Sequence, residues 1–193
     1  SRNKKHNIRL PRLVRFPNAN IKQKINDLLE TRHRLIVEDL KWCHKTAKLT
    51  NFDSLSFILD IKVSHITNKT LSLNGTVNWS CSKRAICHNC DNSYVFDLTK
   101  GEIFNFDVYF GRVVPKGSLD KKLKELARNQ LPKKSSESGC ADIYSDTKSY
   151  TLAFGSQGII FKPVISDKSV TACARQVTIP YPLLKSFSNS GYP

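Results

Sequence analysis

Two runs of strictly alternating hydrophobicity constrain this chain more than anything else in it. Leu55, Phe57, Leu59, Ile61 and Val63 alternate with polar residues, and Leu71, Leu73, Gly75, Val77, Trp79 and Cys81 repeat the pattern after a turn at Asn68-Lys69. A period of two puts every second side chain on one face of a pleated strand, so each run predicts a half-buried antiparallel strand. Tyr94, Phe96 and Leu98 predict a third, and the three read as a meander with one buried and one solvated face. Three Asn-x-Ser/Thr triplets, at Asn68, Asn74 and Asn78, crowd along one predicted strand and read as coincidence.

The C-terminal part predicts a second set of strands. Leu152 and Phe154 alternate with small or polar neighbours, Gly155 to Gly158 reads as a tight turn, and Ile159, Ile160 and Phe161 run apolar until Pro163. That is a β-hairpin. After a polar loop, Gln176-Val-Thr-Ile adds one more strand, which Pro180 and Pro182 end.

Helical spacing occurs twice. From an Asn18 or Asn20 cap, Ile21, Ile25, Leu28, Leu29, Leu35, Ile36 and Leu40 predict a long helix with one buried stripe, while Lys22, Lys24, Arg32 and Arg34 are assigned to its other face. Ahead of it, a basic extended lead contributes Ile8, Leu10, Leu13 and Phe16 as apolar contacts. Ser118 caps a second helix with Leu119, Leu123, Leu126, Ala127 and Leu131 as its stripe, and Pro132 ends it. Lys133 to Gly139 reads as a linker. The expected class is α+β: a largely antiparallel sheet packed by a long N-terminal helix and a second helix.

Six cysteines, Cys43, Cys81, Cys87, Cys90, Cys140 and Cys173, are scattered without metal or redox spacing, which suits disulfides in an oxidising compartment. Cys140 with Cys173 would tie the last strand to the connection before the hairpin. The other four allow three connectivities, of which Cys81–Cys90 across a hairpin mouth together with Cys43–Cys87 is favoured. The alternative is a zinc site of Cys81, Cys87, His88 and Cys90, which lacks the usual two short-spaced pairs. Trp42 and Trp79 are expected in the core or against a disulfide.

The 31 Lys and Arg against 16 Asp and Glu give a net charge of +15, which draws the protein toward acidic partners. No helix-turn-helix, zinc-finger spacing or aromatic RNA-binding strand accompanies the charge, so nucleic acid is not expected. No apolar run is long enough to span a bilayer. There is no Gly-x-Ser-x-Gly, His-Glu-x-x-His, glycine-rich phosphate loop or paired His at helical spacing. No enzyme activity and no cofactor are expected. The chain contains no Met and begins Ser-Arg-Asn-Lys-Lys, which reads as a processed or trimmed form, with any signal peptide or anchor outside the sequence.

Three stretches carry a family resemblance. They are Arg15-Phe-Pro-Asn-Ala-Asn-Ile-Lys-Gln-Lys-Ile-Asn, Phe96-Asp-Leu-Thr-Lys-Gly-Glu-Ile-Phe-Asn-Phe-Asp, and the C-terminal order of aromatic strand, Gly-Ile-Ile-Phe strand, loop, and Val177-Thr-Ile-Pro-Tyr followed by Leu183 and Leu184. In this order the chain resembles the RsiV/PdaC-like family, with a DUF4163-like segment over residues 1–98 and a DUF3298-like half over 99–193. The resemblance implies a bacterial envelope domain that works by recognition. The related domain binds lysozyme in the RsiV branch and accompanies a peptidoglycan-modifying enzyme in the PdaC branch, whose catalytic domain has no counterpart here. The expected role is an inhibitor or immunity protein against a wall hydrolase or toxin, with binding of peptidoglycan or another anionic envelope glycan as the alternative. A lysozyme-like cationic enzyme would be repelled at long range, so an acidic target is favoured. Tyr109, Arg112 and Lys116 in the aromatic, basic segment before the second helix, and Tyr144 after Cys140, are the candidate contact residues.

Overall fold

A computed structural model describes residues 10–49, 51, 56–82, 86–87, 93–110, 118–132, 140–165, 173, 175–186 and 188, and the structural statements below concern these. The order is α1 (Ala19–Leu49), β1 (Ser56–Ile66), β2 (Thr70–Ser80), β3 (Ile86–Cys87), β4 (Ser93–Asp97), β5 (Glu102–Ile103), α2 (Phe106–Phe110), α3 (Ser118–Asn129), α4 (Cys140–Asp146), β6 (Tyr150–Phe154), β7 (Gly158–Pro163), β8 (Val177–Pro180) and α5 (Tyr181–Leu184). All pairings are antiparallel. One sheet runs β1-β2-β4-β5 with β3 also on β2, and the other runs β6-β7-β8. The α+β expectation holds.

The Asn18 side chain starts α1 by accepting the Ile21 amide at 3.1 Å. Ile25, Leu29, Ile36, Leu40, Cys43 and Ala47 form the buried stripe, whereas Leu35, expected on it, is 43 % exposed. The helix also runs past Leu40 to Leu49, where Asn51 takes a positive φ of 47°, a conformation asparagine tolerates. The lead before α1 is held by Asn26, whose side chain accepts the Leu13 amide at 2.9 Å and donates to the Leu13 carbonyl at 3.0 Å.

α1 covers one face of the first sheet. Ile25 and Leu29 pack with Leu71, Leu73, Tyr94, Phe96 and Leu98, and Leu13, Phe16 and Ile61 close the rim. Between Phe96 and Gly101 the chain turns sharply: the Asp97 carboxylate accepts the Thr99 amide at 2.8 Å, and Gly101 supplies a φ of +73° that a side chain would strain.

The opposite face of that sheet is solvated only along β1, where Ile58, Asp60 and Lys62 are exposed, which corrects the half-wet meander at β2 and β4. The second sheet covers it over β4 and the adjoining part of β2. Thr70 and Ser72 are fully buried, and every residue of β4 after Ser93 is buried. Val95 joins the second core while its neighbours Tyr94 and Phe96 belong to the first, so β4 is packed from both sides. Polar side chains that read as a wet face satisfy each other across the seam. Ser64 donates to the Phe154 carbonyl at 2.8 Å, the Phe154 amide donates to Ser72 at 2.9 Å, Asn74 donates to Gln176 at 3.0 Å, and Ser93 donates to Thr151 at 3.3 Å. A bulge at Ser64 in β1 turns this hydroxyl into the seam.

The second core gathers Phe104, Tyr109, Phe110, Leu123, Tyr144, Phe154, Ile159, Phe161 and Ile179, with α3 supplying Leu123, Leu126 and Ala127 as the predicted stripe requires. Gly158 is needed in the hairpin because a Cβ there would collide with the Ile179 backbone.

Two disulfides are described. Cys140–Cys173 forms as expected, with its Cα atoms 5.2 Å apart. The other is Cys43–Cys81, Cα atoms 4.9 Å apart, which corrects both other expected pairs, Cys81–Cys90 and Cys43–Cys87. The reason is the length of α1, whose last turns lie over the end of β2 and bring Cys43 within bridging range of Cys81. The bond consumes the Cys81 thiolate, so the four-residue zinc set cannot assemble; His88, Cys90 and the Cys87 side chain lie outside the described residues. Trp42 and Trp79 meet edge to face at 5.7 Å beside the Cys43–Cys81 bridge, but Trp42 is 49 % exposed and is not core.

Candidate recognition cleft

A cleft of about 310 Å³ opens where the two cores meet, at the low end of small-ligand sites. Leu28 and Arg32 of α1 form one wall, Ser93, Tyr94, Val95 and Phe96 of β4 the floor, and Ile103, Phe104 and Phe106 a second wall. Tyr150, Thr151 and Leu152 of β6 complete it. It exists because β5 is only two residues long and leaves the start of β4 without a strand on that side among the described residues.

Arg32 is the only charged residue in this lining among the described residues. Its guanidinium lies 5.4 Å from the centroid of the Tyr94 ring, within cation–π range. The side chain is half-buried, and no carboxylate among the described residues pairs with it, although Glu30 nearby is engaged by Arg12 and faces His33. A stacked, partly desolvated guanidinium with free donors is a ready receptor for a carboxylate or phosphate. The partly exposed rings of Phe106 and Tyr150 offer apolar contact, and the Ser93 and Thr151 hydroxyls add donors and acceptors.

Tyr150 of the cleft lining and Tyr181 at the start of α5 are partly buried against the second core. The Tyr150 ring stacks on Phe161 at 4.6 Å, and burial, with Asp120 as hydrogen-bond partner and neighbouring charge, pushes its hydroxyl pKa well above the ordinary value. Tyr181 is raised by burial and donates to the Gly155 carbonyl at 2.8 Å. Both are neutral donors at physiological pH.

The expected contact residues are placed elsewhere. Tyr109 is 2 % exposed, edge to face with Phe110 at 4.7 Å and with Phe154 at 5.6 Å. Burial raises its pKa, partly offset by a hydrogen bond with Ser188. Tyr144 has no exposed surface, stacks on Phe161 at 5.8 Å and donates to the Arg175 carbonyl. Its pKa is pushed up to about 12, chiefly by burial. Neither offers a contact surface, because both rings are spent on the second core. Arg112 and Lys116 lie outside the described residues. Arg32 was legible as a signal: it sits three residues after Leu29 and four before Ile36, a cation at a position of the buried stripe.

Beside the cleft, the seam holds one buried amine. Lys162 is 3 % exposed and its Nζ donates to the Gly75 carbonyl. Burial lowers its pKa from the ordinary 10.5 to about 8, against the opposing pull of Asp60. A pKa lower in the folded than in the unfolded state means that the unfolded chain holds more protons between those values, so stability rises with pH across about 8 to 10.5. The buried tyrosines act oppositely: their raised pKa values make stability fall once the unfolded tyrosines ionise above 10.0. Urea unfolding as a function of pH should therefore peak near pH 10, and Lys162→Met should flatten the rise while leaving the fall. A rise that persists unchanged in Lys162→Met would contradict this assignment.

In overall fold the chain matches a solved member of the DUF3298 family from Bacteroides fragilis NCTC 9343. The match covers 92 % of this chain and 81 % of that one, with a TM-score of 0.52 and 15 % identity. This chain has the fold of a DUF3298 protein. No family profile and no curated protein matches the sequence. Within the DUF3298-type fold, the cleft lies between the helix-covered sheet and the C-terminal sheet.

Proposed function

We propose that this chain is a non-catalytic, extracytoplasmic recognition domain of the DUF3298 family, acting as an inhibitor or immunity protein against a peptidoglycan-degrading enzyme or toxin. The disulfides Cys43–Cys81 and Cys140–Cys173 support an oxidising compartment. No described helix is long and apolar enough to cross a membrane. The observation that carries the reading is Arg32, a stacked guanidinium without an acidic partner among the described residues, at an aromatic cleft of a chain with net charge +15. Such a site fits the protruding acidic side chain of a partner, with the rings as apolar anchors and the net charge steering an acidic surface toward it.

Binding of peptidoglycan itself is the second reading, because the partly exposed rings of Phe106 and Tyr150 line the same cleft and Arg32 gives a partner for its carboxylates. Inhibition separates the two. Oxidised protein added in increasing ratio to acidic wall hydrolases should abolish wall clearing at about one equivalent. Arg32→Gln should need at least ~10-fold more protein, since a desolvated charged pair contributes on the order of 2 kcal/mol or more. Full clearing of walls that nonetheless retain the protein would replace the inhibitor reading with the glycan one.

A further inference from the structure

The outer edge of β1 is a long stretch of main chain that no described strand pairs. The strand has 11 residues, Ser56–Ile66, contains no proline, and exposes Ile58, Val63 and Ile66 at 54 %, 49 % and 58 %. Edges of this kind are normally blunted by charge. Here the charges are Asp60 and Lys62, side by side on one face at 3.0 Å, with their side chains 58 % and 76 % exposed.

These two charges do not block one partner, a second copy of the same strand. In an antiparallel pairing centred on Ile61, Asp60 stands opposite the partner's Lys62, and Lys62 opposite the partner's Asp60. On the other face Leu59 meets the partner's Val63, with Ile61 at the centre. The backbone agrees with this register. A Cβ on Gly75 would collide with the Asp60 carbonyl oxygen, so that oxygen faces β2, and by alternation Leu59, Ile61 and Val63 turn their N–H and C=O groups outward. The Ser64 bulge ends the pairable stretch after Val63. We infer that the protein forms a two-fold homodimer by pairing β1 edges about Ile61. This surface is distinct from the cleft and does not depend on its function. Opposite charges at the seam offset locally the repulsion of two strongly cationic chains, and cross-strand pairs provide the rest.

Charge swapping tests it. In sedimentation velocity at about 0.15 M salt, where long-range repulsion is screened, the mass of the wild-type protein should rise with concentration from 21.9 kDa toward double. Lys62→Asp and Asp60→Lys should each weaken association at least ~10-fold, because like charges then face each other. Mixed in equal amounts, the two single variants should associate as the wild type does, since every Lys meets an Asp, and the double swap should restore the homodimer. Circular dichroism checks that each variant is folded. Independently of any variant, the amides of Leu59, Ile61 and Val63 should gain protection from hydrogen exchange as wild-type concentration rises. A wild type that stays monomeric, single variants that dimerise undiminished, or a mixture that does not recover while the wild type dimerises would each overturn the proposal.

Discussion

Phe154→Ala should lower unfolding free energy by about 3–5 kcal/mol, the cost of emptying a large, well-packed aromatic site. Phe154 has no exposed surface, and its ring centroid lies 5.1 Å from that of Phe104, 5.3 Å from Phe106 and 5.6 Å from Tyr109. Its main chain is the point where the sheets lock together, with Ser64 and Ser72 bonded to its carbonyl and amide. The neighbours cannot collapse into the void without breaking that lock, so the upper part of the range is expected. Leu183→Ala, at a residue 44 % exposed, is the matched control and should cost under ~1 kcal/mol. Urea denaturation at neutral pH reads both; a Phe154→Ala loss no larger than the control would mean that the second core is not packed as described.

Removing the helix-to-sheet disulfide should cost roughly 2–4 kcal/mol. Cys43 and Cys81 are 1 % and 0 % exposed and are separated by 38 residues, so the cross-link restricts a substantial loop of the unfolded chain. The double substitution Cys43→Ser/Cys81→Ser avoids leaving a free thiol to exchange. Because the bridge fastens the far end of α1 to β2, the backbone amides around Ile36 and Leu40 should also exchange faster in the variant. Equal stability of the double variant and the oxidised wild type would show that the bond does not hold these elements together.

The first sheet was legible because its strands obey a period of two and its helix a period near 3.6, the two patterns that burial imposes most directly. What lies on the other side of that sheet was not. Ser64, Ser72, Asn74 and Ser93 look like a solvated face in sequence, yet they are buried or half-buried because main-chain and side-chain partners from β6 and the segment before β8 satisfy them. Sequence reports polarity, not whether a distant partner will meet it. The same limit misplaced Tyr109 and Tyr144: an aromatic residue with a hydroxyl suits a binding loop and a core equally well, and here hydrogen bonds with Ser188 and the Arg175 carbonyl let both hydroxyls be buried. Cys140–Cys173 was legible, but the pairing of Cys43 and Cys81 was not, since local spacing favoured a bridge across a hairpin mouth while the reach of α1 decided the pair. Arg32 is the instructive miss. Its charge sent it to the solvent face, although its register placed it in the stripe, and the stripe position is what brings it to the cleft.

Capture from an envelope extract shows whether the Arg32 cleft recognises a protein partner. Oxidised wild-type protein and Arg32→Gln would be immobilised in parallel, washed at moderate and then high salt, and the bound material identified by mass. One wall hydrolase or toxin should be retained at high salt by the wild type and lost from Arg32→Gln. Only glycan, lipopolysaccharide or a mixed acidic background, released from both proteins alike as salt rises, would contradict this recognition.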